Sequence, residues 1–309
     1  MSSKLISRLA PTPSGNLHFG NAFNFLLTYL LVKFHDGILH LRIDDLDGPR
    51  VDPKSVEDIF IQLEWLGIEY HYGPSGPDEL YSNYSQQLRK DRYFNAIEIL
   101  KKSGNLFACE CSRSKIRNSS TSKIYPGTCR NKNIKFLKDS QAWRVIVPEN
   151  TFIYYNTFIN NRKQIDLKTI VGDFVIRRRD GQPAYQIASL IDDIEMSINL
   201  IVRGNDLIPS TGAQIFLAEY LKDSVFSNAH FVHHKLIKNE SGNKLSKSFR
   251  DHSLKLLRNK NSSPTIVYQQ SAKILDLPFE EIQTLQDLIE AFRSEMNRRN
   301  LLMKFDYQI

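Results

Sequence analysis

Ile6-Ser-Arg8-Leu-Ala10-Pro-Thr-Pro13-Ser-Gly15-Asn-Leu-His18-Phe19-Gly20-Asn21 decides how the rest of the chain is read. Ile6 to Ala10 has the composition of a short buried strand, and Pro11-Thr-Pro13-Ser-Gly15 ends it. Phe19 to Phe34 follows as a long apolar helix closed by Asp36-Gly37. A strand that turns through glycine into a helix lets backbone approach a phosphate and points a helix N-terminus at it. His18 then becomes a candidate donor to a phosphate in transfer, with Gly20 and Asn21 beside it. By itself the tetrapeptide is more often an ordinary helix start.

Outward from this turn the same alternation continues. Ile38 to Ile43 reads as a second strand. Pro53 to Leu66 carries Val56, Ile59, Phe60, Leu63 and Leu66 at helical spacing, with Gly67 as the stop. Arg89 to Lys102 repeats the pattern with Tyr93, Ile97 and Leu100. Strand, helix, strand, helix predicts an α/β fold, a Rossmann-type parallel-sheet catalytic domain. From Phe107 to Asp173 the character changes to short β-like runs, Trp143 to Val147 and Phe152 to Phe158, with the cysteines among them. Strand and helix patterns resume at Ile198 to Val202, Thr211 to Leu221 and Phe231 to Ile237, and Pro264 to Met303 reads as two or three small helices. The expected organisation is a first half of the catalytic domain over 1–106, a small β-rich insertion over 107–172, a second half over 173–250 and a short helical segment over 251–309.

The 309 residues are 41% hydrophobic and 24% charged, ordinary values for a soluble globular chain. No run approaches the ~20 apolar residues of a membrane span, and the start lacks the apolar core of a signal peptide. The expectation is a cytoplasmic protein, acting as a monomer. Its net charge of +7 is unevenly placed. Ser112 to Lys138 holds eight basic residues and no acidic one, and Lys235 to Lys260 holds eight against Glu240 and Asp251. Such stripes suit a polyphosphate or nucleic-acid backbone, or else a solvated surface loop.

The second stripe contains Lys244-Leu245-Ser246-Lys247-Ser248, preceded by Asn239-Glu-Ser-Gly242-Asn. Two lysines on a loop can close over a leaving pyrophosphate and neutralise it in the transition state. Together the two motifs resemble the ATP-gripping signatures of class I aminoacyl-tRNA synthetases. Arg8-Leu-Ala10-Pro-Thr-Pro-Ser-Gly15, Leu41-Arg42-Ile43-Asp44-Asp45-Leu46-Asp47, Asp173 to Gly181, Pro183-Ala-Tyr185-Gln186, Asp192-Asp193 and Val202-Arg203-Gly204-x-Asp206-Leu207 are similar, in order, to the glutamyl branch. The resemblance covers residues 5 to about 250.

What it implies is ATP-dependent activation of glutamate, with Mg²⁺ on the phosphates. His18, Asn21, Lys244 and Lys247 would be catalytic, and Gly20, Leu245, Ser246 and Ser248 would join them in holding ATP. Glutamate has two carboxylates and one ammonium, so its pocket needs cations and an anion. Arg8 and Arg203 are the expected carboxylate partners with Tyr185 as a hydroxyl donor. Asp44, helped by Ser14, would take the ammonium, although many relatives carry the longer Glu at that position.

Cys109, Cys111 and Cys129 lie within 21 residues, with Tyr125 between. Three cysteines cannot all pair, and their spacing suits either a structural Zn²⁺ or three free thiols. No histidine occurs between His71 and His230, so a fourth ligand would be Tyr125 or water. The resemblance favours zinc on Cys109, Cys111, Tyr125 and Cys129.

About 60 residues follow the lysine loop, where full-length members of the branch continue into anticodon-reading domains. The chain is thus similar to the shortened members, which esterify glutamate to the queuosine of tRNA(Asp). A truncated enzyme charging a tRNA 3′ end is the alternative.

Overall fold

A computed structural model describes residues 4–48, 51–119, 124–137, 140–159, 161–237, 253–260 and 263–298. The lysine–serine stretch Lys244 to Ser248 lies outside them. Strand β1 (Ile6–Leu9) pairs in parallel with β2 (Ile38–Leu41), Arg8 opposite His40, across the helix α1 (Phe19–Phe34). Helices α2 (Pro53–Trp65) and α3 (Lys90–Lys102) follow. Next come β3 (Leu106–Cys109), a short basic helix α4 (Arg113–Ser119), β4 (Ala142–Val145), β5 (Phe152–Thr157), β6 (Arg162–Asp166) and β7 (Val175–Arg177). Helix α5 (Tyr185–Glu195), β8 (Leu200–Gly204), α6 (Ile208–Tyr220) and β9 (His230–His234) complete the centre. Helices α7 (Leu254–Lys260), α8 (Thr265–Ile274) and α9 (Leu285–Arg298) come last.

The main sheet runs β8 and β9 in parallel, β9 in parallel with β5, and β5 antiparallel to β6. β1 joins it along β8 through the residue before that strand. Asn199 accepts from the Ile6 N–H through Oδ1 at 2.8 Å and donates its own N–H to Ile6 O at 3.0 Å. Ser7 Oγ donates to Leu200 O at 2.9 Å. The parallel α/β expectation therefore holds for β1, β2, β8 and β9, and β5 joins them from the stretch expected as the insertion. The sheets are mixed overall, since β3, β4 and β7 form a separate antiparallel sheet.

The stretch expected as one β-rich insertion divides between these sheets. β3 pairs with β4 and β4 with β7, whereas β5 and β6 extend the main sheet.

α1 is apolar around most of its circumference because both its faces are covered. Phe23, Leu26, Leu27, Leu30 and Leu31 are buried in one core shared with β1, β2, α2 and the C-terminal helices. Phe34 meets Phe292 of α9 edge-on, and Tyr268 of α8 donates its hydroxyl to Leu66 O at 3.1 Å. A second core joins α3, α5, α6 and the strands around Phe231. Among the described residues no helix is long and apolar enough to cross a membrane.

Candidate active site

A cavity of about 510 Å³ opens at the C-terminal ends of β1 and β8, the crevice where open parallel sheets bind ligands. Its floor comes from Arg8, Val202 and Arg203 on the strands. One side is the turn carrying Ser14, Gly15, His18, Gly20 and Asn21 at the start of α1. The other is Tyr185 at the head of α5, with His234 at the end of β9 and Leu236 and Ile237 beyond it.

The turn is built for close approach. Gly15 has φ +135, a conformation that side chains rarely adopt. A Cβ at Gly20 would sit 3.0 Å from the His18 ring, so glycine there lets the imidazole lie against the helix start. His18 caps α1, and its backbone N–H donates to Asn21 Oδ1 at 3.0 Å. Asn21 thus has a local task, stabilising the helix start, besides facing the cavity.

Arg8 and Arg203 converge on the cavity from neighbouring strands, both nearly buried. Arg8 Nε donates to Asp193 Oδ1 at 2.9 Å, and Arg203 Nη1 to Gln214 Oε1 at 3.0 Å. Burial, with Arg8 and Arg42 adding repulsion, pushes the Arg203 pKa down to about 10. It remains a cation at neutral pH, with few internal anions to answer it. Tyr185 is 40% exposed and borders the opening. Ser14 is exposed on the turn.

Asp44 is not brought into the cavity. Its carboxylate turns inward to Arg42, Oδ1 accepting from Nε at 2.6 Å and Oδ2 from Nη2 at 3.3 Å. Arg42 is the centre of a buried network. Nη1 also donates to Asp193 Oδ1 at 2.6 Å and Nη2 to Ser189 Oγ at 3.0 Å. Next to it, Asp192 accepts from Gln86 at 2.8 Å, Arg89 at 3.0 Å and Tyr93 at 2.7 Å. Burial alone would raise the Asp193 pKa, but Arg42 and Arg8 hold it below the usual carboxylate range. For Asp44 burial wins and its pKa is raised.

Asn24, Phe25 and His234 also line the cavity, and sequence reading missed them. His234 accepts from Asn24 Nδ2 at Nε2 (3.1 Å), because Nδ1 donates to Lys235 O at 2.9 Å. Burial lowers its pKa, keeping the ring neutral. Asn24 sits one turn beyond Gly20 on α1, a spacing that could have marked it. His234 ends a strand predicted from its apolar neighbours, and no local signal singled it out.

The cysteines meet in a small core of their own between β3 and the 125–129 turn. Their sulfurs lie within 4.8 Å of one another, Cys111 and Cys129 at 3.6 Å. The Tyr125 hydroxyl is 3.4 Å from Cys109 Sγ and 3.9 Å from Cys111 Sγ, and accepts from the Cys129 N–H at 2.8 Å. Four ligands on one zinc at about 2.3 Å would hold sulfurs about 3.8 Å apart, so this donor set fits the ion. The Arg144 guanidinium stacks 3.8 Å over the Tyr125 ring, a cation beside a potentially anionic cluster. Arg179 Nη1 donates to Glu110 O at 3.0 Å, tying the cluster to the hairpin that leads into Tyr185.

A ligand crevice at the strand ends, a helix start aimed into it and two buried arginines make an α/β site suited to an anionic partner. The chain belongs to the family described as tRNA synthetases class I (E and Q), catalytic domain, whose model matches residues 4–306. It is similar to the Glutamyl-Q tRNA(Asp) synthetase of Aromatoleum aromaticum, 37% identical over 78% of this chain and 73% of that protein. The protein of the same name from Pseudomonas fluorescens is 39% identical over 81% of this chain and 78% of its own length. Among solved structures, the glutamate-tRNA synthetase of Elizabethkingia anophelis superposes with a TM-score of 0.76 at 24% identity, covering 94% of this chain. The chain spans 66% of that longer structure.

Proposed function

We propose that this chain activates glutamate with ATP to glutamyl-adenylate and transfers the glutamyl group to the queuosine base of tRNA(Asp). The convergence of Arg8 and Arg203 on one cavity carries the glutamate half of this reading. The names of the relatives, matched over more than three quarters of this chain, support the acceptor.

The chemistry needs no protein nucleophile. A carboxylate oxygen of glutamate attacks the α-phosphorus of ATP, the bond to the β-phosphate oxygen breaks, and pyrophosphate leaves. A queuosine hydroxyl then attacks the acyl carbon and AMP departs. Arg8, Arg203 and Tyr185 would orient the acid, while His18 and the N–H groups opening α1 would face the phosphates. Mg²⁺ would arrive with ATP and screen its charge. Lys244 and Lys247 would complete the phosphate grip.

Asp44 would act on the ammonium only through the field it shares with Arg42. Zinc on Cys109, Cys111, Tyr125 and Cys129 would be structural, bracing the hairpin before Tyr185. The reading includes a monomer working in the cytoplasm.

Glutamate-dependent exchange of pyrophosphate into ATP without RNA tests activation, and Arg203→Ala should abolish it. Transfer is tested with labelled glutamate and tRNA from cells with and without queuosine. Charging of queuosine-free tRNA(Glu) would instead assign the chain to 3′-end aminoacylation.

A further inference from the structure

Arg8 and Arg203 face one cavity but are held in opposite ways. Arg8 gives its Nε to a carboxylate, Asp193 Oδ1 at 2.9 Å, so its charge is matched within the protein. Only its terminal nitrogens remain for a ligand. Arg203 gives Nη1 to an amide, Gln214 Oε1 at 3.0 Å. Its Nε and Nη2 are buried without a hydrogen-bond partner among the described residues. Those two nitrogens form the side edge of the guanidinium, which a carboxylate can take with two parallel bonds.

Gln214 is fully buried on α6, and its own Nε2 has no partner among the described residues. Only the oxygen of the amide is used, so a carboxylate of the same shape would make the same bond. A glutamate here would make an internal ion pair, and the neutral residue avoids it. Around Arg203 stand the Phe231 ring at 5.2 Å and the like charges of Arg8 and Arg42, while the nearby anion Asp193 is already bonded to both of those arginines. A buried cation in that setting has an unmet need for an anion.

We propose that Gln214 is a positioning and specificity-determining residue. By holding Arg203 through a neutral amide, it leaves the Nε/Nη2 edge and the full charge for a substrate carboxylate. Arg203 is then the side-on partner of one carboxylate and Arg8 the end-on partner of the other. This deepens the reading of the cavity as a glutamate site and rests on it.

The test is glutamate-dependent pyrophosphate exchange by the full chain, with Gln214→Glu and Gln214→Met. Gln214→Glu pairs with Arg203 and should raise KM for glutamate about 10- to 100-fold, the worth of a charged hydrogen-bond pair. KM for ATP should stay within about twofold, and the melting temperature should hold or rise, since the buried cation gains a partner. A merely structural role would lower stability and move both KM values together. Gln214→Met keeps the volume and frees Arg203, raising KM for glutamate about 3- to 10-fold. A KM for glutamate within about twofold of wild type in Gln214→Glu overturns the proposal. Should that variant not fold, an unchanged KM in Gln214→Met does the same. Absence of glutamate-dependent exchange in the wild type defeats the glutamate reading itself, a different result from either.

Discussion

Replacing Arg42 by methionine tests the buried network behind the cavity. Arg42 is almost wholly inaccessible and joins Asp44, Asp193 and Ser189. Asp193 keeps Arg8, and Asp192 keeps Arg89, Gln86 and Tyr93. Asp44 loses the group that binds both of its oxygens. Removing one partner of a buried ion pair costs about 3–5 kcal/mol, and Arg42→Met should fall in that range near neutral pH.

The sign of its pH dependence follows from Asp44. Burial already raises that carboxyl above its ordinary 3.8, and Arg42 is what opposes the rise. Without Arg42 the folded-state pKa climbs further, so the folded variant takes up a proton that the unfolded chain still lacks. The penalty relative to wild type is full above the variant's pKa and is relieved as pH falls to the wild type's own raised value, below which both folded proteins carry the proton. The gap to wild type should shrink by up to about 1.4 kcal/mol per pH unit in that window. Urea unfolding followed by circular dichroism, repeated in steps from about pH 7.5 to about pH 4.5, measures it. A loss below about 1 kcal/mol, or one equal at every pH, refutes the reasoning.

If the cysteine cluster holds zinc as proposed, Tyr125→Phe, which removes the oxygen 3.4 Å from Cys109 Sγ, should speed its loss to a chelator about 10- to 100-fold; equal release rates from zinc-loaded protein would show the phenol to be no ligand. His233 and His234 have pKa values lowered by burial, so the unfolded chain binds protons first as pH drops below 6.5. Stability should therefore decline from that point toward acid, by at most about 1.4 kcal/mol per pH unit for each ring. Substituting His233 by glutamine should flatten the profile measured by thermal melting. Gly204→Ala puts a Cβ 2.7 Å from Asp206 Oδ1 and 3.1 Å from Leu236 Cδ2. A loss of about 1–3 kcal/mol in urea unfolding is expected, and a neutral substitution would mean that the Asp206 side chain swings aside freely.

Helix α1 was legible residue for residue, Phe19 to Phe34, because a long apolar run between a glycine turn and Asp36-Gly37 has few other solutions. β1 and the arginines of the cavity were legible through the turn and the motif order. Helix α5 was not read as a helix. Ser189, Asp192 and Asp193 interrupt its apolar pattern, and they are buried only because Arg42, Arg89 and Tyr93 arrive from elsewhere in the chain. The same tertiary fact misdirected Asp44. Its sequence neighbour Arg42 is two residues away, yet only the fold reveals that the pair faces α5 and not the cavity. Gln214 carried no signal, since an amide in a helix looks like surface until its arginine is found.

The bond between Ile6 and Asn199 spans 193 residues. On a ribosome adding about 5–20 residues per second, β1 meets β8 roughly 10–40 s after it is made. For that interval α1 has one strand pair to lean on, and its second covering face in α8 and α9 comes later still. Arg8 likewise waits for Asp193, so the Arg8 end of the cavity is not set until about two thirds of the chain has been made. Nascent chains of this protein thus carry a long apolar helix without its lid, and chaperone demand should be set by elongation rate more than by final stability.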